Sequence, residues 1–122
     1  MGGFLLENQM FKIVQNATYT WPVTVELPTD GGKTEKQTFD AEFKRLTQTR
    51  VDEIRQSVER GEMRDSELAR EAMVGWSGIV DGDGGQVQFS EKSRDQLLDI
   101  PQVSGAVVTA LLSSMSGAKR KN

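Results

Sequence analysis

The chain has 122 residues, 15 Lys and Arg against 18 Asp and Glu, a net charge of -3, and neither cysteine nor histidine. Those absences exclude a Cys or His nucleophile, a Ser-His-Asp relay, a Cys/His zinc site and a histidine proton switch. The acidic balance offers no broad basic surface for phosphates, which disfavours nucleic acid as a partner.

A length of this order matches one domain, since single cores are commonly built from about 100–150 residues. Phe, Leu, Ile and Val together make up 29 of 122 residues, above the roughly one-fifth level below which charged chains tend to stay unfolded. Without disulfides the fold must rest on packing, which fits an intracellular protein. Met1-Gly-Gly-Phe-Leu-Leu6 lacks a basic n-region and its apolar run stops at Glu7, so it does not read as a signal peptide. Leu6 stands where a myristoylation signal needs Ser or Thr. The uncharged run from Ile100 to Ala118 carries Pro101, Gln102, Thr109 and several serines, too polar for a membrane span of about 20 apolar residues.

Taken in chain order, residues 1–16 read as a flexible lead or an extra strand, with Met10-Phe-Lys-Ile-Val14 as the candidate strand. Trp21, Val23, Val25 and Leu27 alternate with polar neighbours, and so do Phe39, Ala41 and Phe43. Pro28-Thr-Asp-Gly-Gly32 lies between the two runs, so two antiparallel strands joined by a turn are expected. Pro22 cannot donate to a ladder and is placed at a strand start or on an edge.

From Thr49 the period lengthens. Val51, Ile54 and Val58 recur at helical spacing among charged residues, with Gly61 as the stop. A second helix is expected from Asp65 or Ser66, either able to cap it, with Leu68, Ala72, Trp76 and Ile79 along one stripe. Gly75 and Gly78 interrupt its end, implying fraying or a close contact that needs the missing side chain. Asp81-Gly-Asp-Gly-Gly85 reads as a turn, Gln86-Val-Gln-Phe89 as a short strand, and Ser90 as the cap of a third helix. Pro101 is placed to open a fourth, running to about Met115. Gly117 ends it, and 117–122 form a basic tail. The order of elements gives an α+β fold, with a hairpin or small antiparallel sheet followed by about four helices packed on it.

Several constellations invite chemistry and fall short of it. Asp81, Asp83 and Gly84 open like a calcium loop, but Gln86 and Lys92 occupy the positions that need Gly and Glu. Gly82, Gly84 and Gly85 are not followed by the Lys-Ser/Thr of a phosphate loop. Asp52 and Glu53 sit among arginines, as on a solvated helix face. Ser113-Ser114 with Lys119 lacks anything to orient the lysine, and three charges in Lys119-Arg-Lys121 attract nucleic acid only weakly. No cofactor or metal is expected. Trp21 and Trp76 read as core residues. The fourth helix differs, because Val103, Val107, Ala110 and Leu111 line one side and Val108, Leu112 and Met115 the next. So broad an apolar arc implies burial on two sides, a homo-oligomer interface or a partner surface. Val108, Leu111, Leu112 and Met115 are the candidate partner-binding residues, Met115 supplying adaptable packing.

The set Gly75-Trp76-Ser-Gly78, Asp81-Gly-Asp83-Gly84, Phe89-Ser90 and Leu97-Leu-Asp-Ile-Pro101 resembles the tail assembly chaperones of long-tailed bacteriophages and prophages. With the preceding hairpin and Glu42-Phe-Lys-Arg-Leu46, the resemblance covers most of residues 18–122. Trp76, Asp81, Asp83, Gly84, Phe89 and Pro101 are its structural motif positions. It implies a non-enzymatic protein of the host cytoplasm that binds the tape measure protein, keeps it soluble, helps recruit tail tube subunits and leaves before the virion is complete. In such families a ribosomal frameshift near the end of the short frame often adds a domain that meets the tube protein. A structural tail or head-tail completion protein retained in the virion is the alternative, and a small enzyme using carboxylates or a carboxylate-held metal is the third reading.

Overall fold

Alternating apolar and polar residues have their natural home in a sheet with one face covered. In the computed structural model, which describes residues 10–116, they form β1 (Thr18–Thr29) and β2 (Lys33–Lys44), an antiparallel hairpin. Val23 lies opposite Phe39, Trp21 opposite Ala41 and Tyr19 opposite Phe43. Val23, Val25, Phe39, Ala41 and Phe43 are buried on that face, while Thr24 and Thr38 meet on the other with their hydroxyls 3.1 Å apart. The turn Asp30–Gly32 is reversed by Gly31 and Gly32, at φ 78° and 77°, a left-handed region that L side chains avoid.

The third strand is not Met10–Val14. It is β3 (Met73–Ser77), antiparallel to β2 and giving the order β1-β2-β3. Met10–Val14 joins no ladder: β3 holds the far side of β2, and Pro22 deprives the free edge of β1 of a donor. Pro22 therefore does sit on an edge strand, as expected.

The helices are α1 (Gln48–Glu59), α2 (Asp65–Ala72), α3 (Glu91–Leu98) and α4 (Val103–Ser116). Thr47 caps α1, its hydroxyl accepting from the Arg50 N–H at 3.1 Å, and Gly61 follows its end at φ 71°. The N-cap of α2 is Arg64, not Asp65 or Ser66; its N–H donates to Glu67 at 2.9 Å. Ser90 caps α3 as expected, accepting from Ser93 at 3.0 Å.

The expected extension of α2 to Ile79 is the main correction. Leu68, Ala69 and Ala72 face the core from the helix, but the chain then becomes extended. Met73 pairs with Phe43, Trp76 with Ala41, and Val74 is bulged out between them. The open edge of β2 offers hydrogen bonds that a glycine-weakened helix end cannot match. Gly75 has the close contact foreseen for it: a Cβ there would lie 2.5 Å from the Glu42 carboxylate, which accepts from the Thr18 hydroxyl at 2.7 Å. Gln86–Phe89 is likewise no strand, and among the described residues pairs only through a bridge from Gln86 to Val80.

Pro101 and Gln102 form a turn, so the last helix opens two residues later than expected, at Val103. Across that turn α3 and α4 are bent by 102°. α4 then crosses β1 and packs on α2. Among the described residues no single helix is long and apolar enough to cross a membrane. The buried residues of the sheet and of all four helices make one cluster, so the α+β architecture expected from the sequence is the one observed. The parts of the lead and tail at 1–9 and 117–122 lie outside the described residues.

Candidate functional site

On a helix adjacent residues point about 100° apart, so neighbours on α4 meet different fates. Leu111 and Val107 are fully buried between the sheet and α2, and Val108 and Ala110 are nearly so. Leu112 is 54% exposed and Met115 37%. The four candidate partner-binding residues therefore divide. Val108 and Leu111 belong to the core because α4 is covered on two sides, and no partner touches Leu111 without opening the fold. Leu112 and Met115 remain on the surface.

These two residues form one wall of a groove of about 960 Å³. The opposite walls come from Tyr19 and Trp21 on β1, Leu46 after β2, and Val51 on α1. All four are half-buried, and Tyr19, Trp21 and Leu46 pack against the core from outside it. The junction is fixed by a hydroxyl pair: Tyr19 Oη lies 2.7 Å from Ser114 Oγ, which lies 2.7 Å from the Leu111 carbonyl oxygen. That chain of contacts ties the end of α4 to the start of β1 and holds Leu112 and Met115 in place. The Arg45 guanidinium lies over the Tyr19 ring, 4.9 Å from its centroid, a cation–π contact.

The α1 wall is held by a paired contact. Arg50 Nε and Nη2 each donate to Glu71 on α2 at 2.7 Å, while Nη1 reaches Glu53 at 3.1 Å. These hydrogen bonds hold the Glu71 carboxyl below its ordinary range and raise the guanidinium above its own. Asp95 is held low by hydrogen bonds from Arg94 and Arg70, and the one from Arg70 joins α2 to α3.

The structural motif residues do other work. Trp76 Nε1 donates to the Val87 carbonyl at 2.8 Å, and its ring meets Phe89 edge-on at 4.9 Å. Asp81 Oδ1 accepts from the Asp83 and Gly85 N–H groups, both at 2.9 Å, and Gly84 takes φ 84°. The Asp81 carboxylate thus closes its own turn, as the turn reading foresaw. Among the described residues no three His, Cys, Asp or Glu side chains converge in a way that could hold a metal ion. Pro101 lies in the exposed turn between α3 and α4. A smaller apolar cleft of about 210 Å³ opens at the other end of the sheet, between Val25, Phe39, Ile79 and Ile100.

The sequence does not mark Tyr19, Leu46 and Arg45 as lining the groove, or Arg50 as the residue that fastens its α1 wall. Tyr19 had a signal, being one step earlier in the alternation of Trp21 and Val23. Arg50 and Glu71 had none, since 21 positions separate them. Comparison with protein-family models, with curated proteins and with solved structures gives no match to this chain.

Proposed function

We propose that the chain is a tail assembly chaperone of a long-tailed bacteriophage or prophage, acting in the host cytoplasm without enzymatic activity. In this reading it binds the tape measure protein, keeps that long helical chain soluble and helps bring tail tube subunits to it. A frameshift-extended form would make the tube contact, and the protein would leave before the virion is complete. The supporting observation is the groove beside α4. A chaperone of an aggregation-prone helical chain needs an exposed apolar trough, and Leu112 and Met115 face one. The motif set from Gly75 to Pro101 adds the family resemblance.

The test is co-expression with a tape measure protein, followed by affinity capture and a comparison of soluble partner with and without this chain. The reading expects co-purification and a gain in soluble partner, both lost in a Leu112→Asp/Met115→Asp variant that keeps its circular dichroism. If the partner is soluble alone and nothing co-elutes, the reading fails. Detection of the chain in purified virions would instead favour a structural tail or head-tail completion protein.

A further inference from the structure

The groove has a charge bias opposite to that of the chain. The protein carries a net charge of -3, yet among the described residues the charged side chains lining the groove are Arg45 and Arg55, with no carboxylate beside them in its lining. Arg45 is stacked on Tyr19 and pairs with no carboxylate among the described residues. Arg55 meets Asp52 at 3.3 Å in an exposed pair, an arrangement of small energy that an incoming acid readily replaces.

We propose that the occupant of this groove is an amphipathic helix whose apolar stripe is bordered by acidic residues. Its apolar side chains sit between Leu112 and Met115 on one wall and Tyr19, Trp21 and Val51 on the other, while its carboxylates face Arg45 and Arg55. A strand is the poorer occupant, because Pro22 interrupts the donors along the edge of β1 that a ladder would use. This inference deepens the tape measure reading by stating which helical segments of a long partner would be held, and it rests on that reading only for the partner's identity.

The experiment uses the whole chain and two synthetic 18-residue amphipathic peptides with the same Leu/Met stripe, bordered by Glu in one and by Lys in the other. Binding is followed by titration calorimetry and by the fluorescence of Trp21. The Glu-bordered peptide is expected to bind about three- to ten-fold tighter at low salt. The gap should close near 1 M NaCl, where screening falls to about 3 Å. Arg45→Glu/Arg55→Glu should reverse the preference, and Leu112→Asp should weaken both peptides, each variant keeping its circular dichroism. Equal binding of the two peptides, or an unchanged preference in the double variant, overturns the proposal. Binding of neither peptide also overturns it, and a sedimentation change in Leu112→Asp would then assign the groove to a second copy of the chain. Peptide selectivity without co-purification of the tape measure protein would sink the functional reading alone. Co-purification that survives Arg45→Glu/Arg55→Glu but is lost in Leu112→Asp would sink this inference alone.

Discussion

Leu111 and Leu112 are adjacent, chemically identical and separated in role by one step of helical rotation. Leu111 has no exposed surface and Leu112 is 54% exposed. Leu111→Ala removes packed methylenes and leaves a cavity, so urea unfolding should show a loss of about 2–5 kcal/mol. Leu112→Ala should stay within about 0.5 kcal/mol; a comparable loss at both positions would contradict the burial described. Asp81 and Asp83 form a second contrasting pair. Asp81→Ala leaves two backbone N–H groups without their acceptor and should cost about 1 kcal/mol in thermal unfolding, whereas Asp83→Ala should be silent. Position by position, the apolar arc of α4 was legible in the sequence. Which half of it reaches solvent was not, because that depends on where α2 and β1 lie.

At the scale of elements, α1 is the peripheral piece. It buries only Ile54 and is fastened to α2 by the Arg50–Glu71 contact. Glu71 has its folded-state pKa lowered chiefly by the hydrogen bonds from Arg50. Its contribution is therefore complete above the unfolded carboxylate value of about 4.3 and is lost as pH falls through the lower folded value. Hydrogen exchange should show α1 losing protection in that acidic window before the sheet does, and Glu71→Gln should produce the same loosening at neutral pH. Uniform loss across the fold would argue against this fastening. The wrong extension of α2 has a related lesson. Leu68, Ala72, Trp76 and Ile79 fit a helical stripe, but Leu68 and Ala72 enter the core from the helix while Trp76 on β3 and Ile79 just after it pack against that core. Periodicity alone could not separate the two, and the vacant edge of β2 decided it. Gly75 and Gly78 were the local sign of that change.

For the molecule as a whole, strands first and helices after were enough to yield the α+β class, because a sheet with one apolar face has few ways to be covered. The groove was not legible in the same way, since its walls come from β1, the end of β2, α1 and α4, parts brought together only by the register of the hairpin and the crossing of α4. That crossing also carries a consequence for cooperativity. α4 touches β1, α2 and α3, and the core it completes is one cluster, so the sheet and the last three helices should unfold together. The chain supplies its own reporters. Trp21 lies on β1 beside the groove and Trp76 on β3 against Phe89, at opposite edges of the sheet. Fluorescence of single-tryptophan variants Trp21→Phe and Trp76→Phe, each compared with its own far-ultraviolet circular dichroism, should give coincident urea transitions within each variant. Leu111→Ala, placed at the centre of the cluster, should move the fluorescence and dichroism midpoints by the same amount. A Trp21 signal that melts ahead of the dichroism would mean that the groove end opens as a separate unit, and the packing of α4 on β1 would then be weaker than its buried face implies.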